Sequence, residues 1–187
     1  MRLFVALEIP EAIRRMLGEL IAELKDTTQS ARWVRSEGIH VTLKFIGETP
    51  TENVHAIQQA LTKVRSNASV EVQMRGCGFF PNDRRPRVLW VGVEGSPNLA
   101  ELAAAVETRL TLLGIAPESR PYRPHLTLAR FQSAEGIPRL LKKLQTLEPF
   151  DCGKMRAEEF HLFQSQLQRG GARYTRLASF PFVEGAS

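Results

Sequence analysis

The chain repeats its own pattern at a shift of 85 residues, and this limits the possible folds more than any other feature of the sequence. Arg2-Leu3-Phe4-Val5-Ala6-Leu7-Glu8 is a short apolar run of strand character, and Ile13, Leu17, Leu20 and Leu24 after it mark one face of a helix. Arg87-Val88-Leu89-Trp90-Val91-Gly92-Val93-Glu94 has the same character and leads into the helical spacing Leu99, Leu102, Val106, Leu110, Leu113. His40-Val41-Thr42-Leu43-Lys44-Phe45 returns as His125-Leu126-Thr127-Leu128-Ala129-Arg130. A helix follows each, through Val54, Ile57, Leu61 and Val64 in one half and Ile137, Leu140, Leu144 and Leu147 in the other. Each half closes on an extended stretch, Ser69 to Phe80 and Met155 to Gln166.

Matching elements at one shift point to an internal duplication, with copies over about 1–80 and about 87–182. The turn-rich Pro81-Asn82-Asp83-Arg84-Arg85-Pro86 reads as the joint. The period is too long for a solenoid. The expected fold class is α+β: one bilobal domain over 1–187, with two pseudo-twofold-related lobes. Each lobe is expected to be a mostly antiparallel sheet with two helices, and the cleft between lobes is the place for a ligand.

Residues two apart in a strand share a face and lie about 6.5 Å apart. His40 and Thr42 therefore point one way, and strict alternation sends Val41, Leu43 and Phe45 the other way. His125 and Thr127 likewise share a face opposite Leu126 and Leu128. Apolar residues supply the core, so both His and Thr pairs are expected to face the cleft. Strict alternation puts Arg130 on the Leu128 face; it reaches the cleft only if the strand twists or bulges.

Two imidazoles on opposite sides of a reacting centre suit in-line displacement at phosphorus, one taking a proton from water and the other giving one to the departing oxygen. Threonine hydroxyls can donate to the non-bridging oxygens as charge builds there. The motifs hold no Asp, Glu or Cys beside the histidines, so neither a metal nor another cofactor is expected. There is no P-loop, no GxSxG and no CxxC spacing, and Cys77 and Cys152 stand alone. No apolar run is long enough for a transmembrane helix, so the cytosol is the expected location, with no membrane partner. The net charge of +5 is modest, but the cations are 19 Arg and 6 Lys, a bias toward the side chain suited to phosphate. Local Arg clusters are Arg84, Arg85 and Arg87, then Arg120 and Arg123, then Arg169, Arg173 and Arg176, with Phe79, Phe80, Tyr122 and Tyr174 nearby in sequence. His55 reads as a solvated helix position and His161 as a residue on a strand face.

The paired motifs, His40-Val41-Thr42-Leu43 and His125-Leu126-Thr127-Leu128, resemble the signature of the two-histidine phosphoesterases. The opening Arg2–Pro10, Pro86–Gly92, Leu43–Glu48 and Arg123-Pro124 resemble the RNA 2′,3′-cyclic phosphodiesterase, or 2′-5′ RNA ligase, branch, and the likeness runs to about Phe182. The resemblance implies a bilobal fold around the active cleft and metal-independent hydrolysis of an RNA or nucleoside 2′,3′-cyclic phosphate to a 2′-phosphate. By it, His40 is the proton donor to the leaving 3′ oxygen and His125 the base, although the symmetry of the motif itself assigns neither role. Thr42 and Thr127 map onto phosphate-holding hydroxyls, and Arg130 onto a phosphate clamp. The implied partners are RNA ends or cyclic nucleotides, tRNA halves among them, and a monomer is expected. Competing readings are a reversible 2′-5′ ligase, a phosphodiesterase for another cyclic nucleotide such as ADP-ribose 1″,2″-cyclic phosphate, and a non-catalytic RNA-end binder.

Overall fold

The computed structural model describes residues 1–66, 68–169 and 171–182. The first strand, β1 (Arg2–Glu8), is apolar throughout from Leu3 to Leu7 because both its faces are covered. Leu3, Val5 and Leu7 enter the main core, while Phe4 and Ala6 join a smaller cluster with Phe163 on the other side. The chain continues through α1 (Glu11–Leu24), β2 (Ala31–Trp33), β3 (His40–Glu48), α2 (Val54–Leu61) and β4 (Val70–Phe80). Then come β5 (Val88–Gly95), α3 (Pro97–Thr111), β6 (His125–Phe131), α4 (Ile137–Leu147), β7 (Asp151–Ala157), β8 (Glu159–Gln168) and β9 (Gly171–Pro181). The helices bury the faces expected of them, Ile13, Leu17, Leu20 and Leu24 in α1 and Leu99, Leu102, Val106 and Leu110 in α3, except that Leu113 lies past the end of α3 and is exposed. Among the described residues no helix is long and apolar enough to cross a membrane.

The strands form a four-stranded sheet, ordered β3-β1-β8-β9, and a five-stranded sheet, ordered β2-β6-β5-β4-β7. Every pairing is antiparallel. The fold is thus the expected bilobal α+β arrangement, but the halves exchange their closing strands. β4, from the first half, pairs with β5, and β8, from the second, pairs with β1. The Pro81–Pro86 turn is therefore a hairpin inside one sheet and not the joint between lobes. An antiparallel pair can be closed by a short connection, so β4 folds back on the strand that follows it. The expected stretch Met155–Gln166 is divided at Glu158 into β7, in the five-stranded sheet, and β8, in the other. The helices follow the exchange: α1 packs on α4, and α2 on α3.

Two strand irregularities position the cleft. In the β1–β3 ladder Val5 faces Lys44 and Ala6 faces Thr42, so Leu43 is left without a partner. In the β5–β6 ladder Leu89 faces Ala129 and Trp90 faces Thr127, so Leu128 is left out. Each is a one-residue bulge, and the two stand 85 residues apart. Leu43 and Lys44 are both buried, as are Leu128 and Ala129, and the alternation beyond them changes phase. Arg130 comes round to the Thr127 face. Phe45, expected on the core side, comes round to the Thr42 face and is 46% exposed in the cleft.

The first bulge also buries Lys44, whose Nζ meets Glu107 at 2.8 Å and donates to the Ala116 carbonyl at 2.9 Å. Glu107 in turn accepts from the Glu118 amide at 2.6 Å, so one ion pair ties β3, α3 and the segment leading to β6 together. Removing one partner strands a buried charge, whereas replacing both by apolar groups does not. Glu107→Leu should lower stability by about 2–3 kcal/mol in urea unfolding, and the double variant Lys44→Met/Glu107→Leu should regain most of it.

Candidate active site

His40 and His125 are the first residues of β3 and β6, which belong to different sheets but approach one another directly. The backbone two residues earlier bears on each ring. His125 Nδ1 lies 2.7 Å from the Arg123 carbonyl, which can only accept, so Nδ1 carries the proton and Nε2 is left free. The Gly38 backbone occupies the corresponding place for His40 and favours its protonated form. Gly38 has a second duty, since a Cβ there would sit 2.6 Å from Tyr174 Cε2. Its bare Cα lets the tyrosine ring close against the turn that holds His40.

The two rings have different surroundings. His40 is 8% exposed and packs among Phe4, Phe163 and Tyr174, with ring centroids at 5.5, 4.7 and 5.2 Å. Burial drives its pKa down to about 4; the Gly38 backbone opposes that shift, and Arg14 adds to it. His125 is half-buried, with Phe80 edge-on at 4.9 Å. Its pKa is also lowered, first by burial, against the Arg123 carbonyl and with help from the Arg130 charge. Both imidazoles are consequently neutral at pH 7 in the free protein, each able to accept a proton.

Thr42 and Thr127 follow on the same strand faces, and the bulge brings Arg130 beside them. All five residues singled out from the sequence, His40, Thr42, His125, Thr127 and Arg130, line one cleft of about 710 Å³. Phe45 takes the place on its wall that Arg130 takes on the other, and the Arg2 guanidinium lies 4.9 Å above its ring. Tyr122, three residues before His125, donates its hydroxyl to the Thr42 carbonyl at 3.1 Å and so sets the two motifs in register.

Other residues fall elsewhere. His55 is exposed on α2, away from the cleft. His161 is buried on β8, with Nδ1 2.9 Å from Ser179 Oγ and Nε2 3.7 Å from Glu159. Of the sequence-local Arg clusters none lines the cleft; Arg176, for example, pairs with Glu8. The arginines that do line it are Arg2, Arg32, Arg35 and Arg130. Phe4 and Phe163 also escape a reading by motif. The available signal was the unbroken apolar run Leu3–Leu7, since a strand buried on both faces must present an apolar residue to the cleft. Among the described residues no three His, Cys, Asp or Glu side chains are grouped as a metal site requires.

Known proteins share this chain's pattern along most of its length. The model of the 2′-5′ RNA ligase superfamily matches residues 10–169. A protein of Methanothermobacter thermautotrophicus named RNA 2′,3′-cyclic phosphodiesterase is 31% identical over 180 residues, 96% of this chain and 97% of the relative. One of the same name from Aeropyrum pernix is 36% identical over 167 residues, 87% of this chain and 94% of the relative. Among solved structures, TT0787 of Thermus thermophilus superposes with a TM-score of 0.83 at 29% identity, over 100% of both chains. LigT of E. coli complexed with 3′-AMP gives a TM-score of 0.80 at 27% identity over 98% of each.

The depressed pKa of His40 has a consequence for stability. Its folded value, about 4, lies below the ordinary 6.5, so as pH falls the unfolded chain binds the proton first. The contribution is complete above pH 6.5 and is lost as pH falls to about 4, amounting to up to about 3 kcal/mol. Urea unfolding across that range should show the loss, and His40→Gln should flatten it. Phe163→Ala should move the His40 titration, followed by imidazole NMR, up toward 6.5; an unmoved titration would exclude burial by this ring as the cause.

Proposed function

The chain belongs to the 2′-5′ RNA ligase superfamily, and from that premise we propose that its cleft hydrolyses the 2′,3′-cyclic phosphate of an RNA or nucleoside end to a 2′-phosphate. The observation that carries this reading is the convergence of two His-x-Thr strands from different sheets on one cleft. With Nδ1–H held by the Arg123 carbonyl, the free Nε2 of His125 takes a proton from water as the water oxygen attacks phosphorus. The bond to the 3′ oxygen breaks, and His40 on the other wall gives that oxygen a proton. Thr42 and Thr127 donate to the non-bridging oxygens, and Arg130 offsets their charge.

His40 must be protonated to act as the acid, yet burial keeps it neutral in the free protein. The anionic phosphate supplies what is missing: a negative charge beside a ring favours the imidazolium. Arg130 works the other way on His125, favouring the neutral ring that a base requires. Every group in this scheme comes from one chain, which suits action as a monomer. The ends it accepts include those of tRNA halves, and two unpaired thiols in the chain fit a cytosolic setting.

His40→Ala and His125→Ala should each lower turnover of a cyclic-phosphate substrate about a thousandfold while the far-ultraviolet spectrum is kept. Near-normal turnover in either would overturn the scheme. The product, identified by mass and phosphate position after reaction in EDTA, should be the 2′-phosphate; loss of activity in EDTA would point to metal chemistry instead. Because both rings titrate below 6.5 in the free protein, kcat/KM should peak below pH 6.5. The kcat profile should lie at higher pH, since bound phosphate raises the acid's pKa.

A further inference from the structure

The pseudo-twofold symmetry of the cleft is broken by β2. Shifting Ala31–Trp33 by 85 residues gives Ala116–Glu118, which forms no strand. In the four-stranded sheet β3 is the edge, whereas in the five-stranded sheet β2 lies outside β6 and extends the His125 wall. What β2 adds is charge. Its register sets Arg32 directly opposite Arg130, with Ala31 opposite Phe131 and Trp33 opposite Ala129. Like charges placed opposite each other across a strand pair are destabilising. Arg35 continues the row toward the start of β9, its Nε 3.8 Å from where a Cβ on Gly171 would lie.

Among the described residues no carboxylate pairs with this row. Among the described residues the cleft is lined by Arg2, Arg32, Arg35 and Arg130 and by no Asp or Glu, although the chain has 20 carboxylate side chains. Among the described residues Arg32, Arg35 and Arg130 take part in no ion pair, whereas Arg14, Arg75, Arg156 and Arg176 each do. Arg2 is engaged with Phe45 on the opposite wall. A single cyclic phosphate carries one negative charge, and the two threonines and Arg130 are already placed for it. Arg32 and Arg35 lie beyond, on and just after an added strand, with no anion of their own.

We propose that Arg32 and Arg35 form a second phosphate subsite, which holds the phosphodiester adjoining the reacting nucleotide. It follows that the preferred ligand is a single-stranded RNA end of two or more nucleotides rather than a mononucleotide. This rests on the hydrolase reading above and adds a direction to it: the RNA body leaves the cleft over β2. Guanidiniums pair bidentately with phosphate, and a strand that neutralises them makes binding salt-dependent.

The test compares cytidine 2′,3′-cyclic phosphate with a tetranucleotide ending in a 2′,3′-cyclic phosphate, for the wild type and Arg32→Gln/Arg35→Gln. Both arginines are exposed, so the variant keeps the packed core. The wild type should favour the tetranucleotide by tenfold or more in kcat/KM, and the variant should bring the ratio near one. Its salt slope on the tetranucleotide should shrink by about 0.7 for each phosphate left unneutralised. A ratio unchanged in the variant, or already near one in the wild type, overturns the subsite, as does equal loss on both substrates. Turnover of the mononucleotide by the wild type reads the hydrolase function separately. If neither substrate is cleaved that function fails, and the subsite is then read by anisotropy of a labelled tetranucleotide 3′-phosphate. Tenfold weaker binding by the variant supports the subsite, and equal binding overturns it.

Discussion

The hydrogen bonds between β1 and β8, and between β5 and β4, make each half of the chain complete the other's sheet. Neither sheet can form from one half alone, and one main hydrophobic cluster runs through both. Two lobes joined only by a linker would rock against each other and carry their histidines with them. Here rocking would shear two strand ladders, so the walls of the cleft are held by backbone hydrogen bonds that are individually modest and collectively cooperative. The Lys44–Glu107 pair and the Tyr122 hydroxyl make the same connection at closer range, each joining β3 to the segment that delivers His125.

Within that frame one motif is used twice in unlike surroundings. His125 has its tautomer set by the carbonyl two residues upstream, and the backbone in the same place before His40 favours that ring's protonated form. The aromatic enclosure of His40 by Phe4, Phe163 and Tyr174 has no equal around His125, where Phe80 packs and Arg130 adds charge. The difference comes from the exchanged strands, since Phe163 arrives on β8 and Phe80 on β4. Topology thus assigns the two imidazoles different electrostatic surroundings, although their own strands match in pattern at the motif.

The motif, the helix faces and the two-lobed α+β class were legible because they depend on short periodicities, 2 along a strand and 3.6 around a helix. Strand neighbours were not. Alternation reports which face a residue takes but not which strand lies beside it, so β4 and β8 could not be assigned to the opposite sheets. Bulges leave little compositional trace either. Leu43 and Leu128 look like ordinary inward residues, and one unpaired position each was enough to misplace Phe45 and leave Arg130 undecided. Arginines grouped in sequence drew attention to loops, whereas those in the cleft are spread over β1, β2, β6 and the turn before Gly38 and meet only through folding.

The matched bulges reach further than the two side chains they reorient. Because each shifts its strand by the same step, Phe45 and Arg130 occupy equivalent places, one an apolar ring and the other a permanent cation. A truly symmetric chamber would accept an elongated guest either way round, and half of its encounters would present the wrong end. Here Phe45, with the Arg2 guanidinium stacked on its ring, stands on one wall and Arg130 on the other, so the two ends of the chamber differ in chemistry. The chamber has acquired a sense of direction from a pair of one-residue slips in its hydrogen-bond ladders.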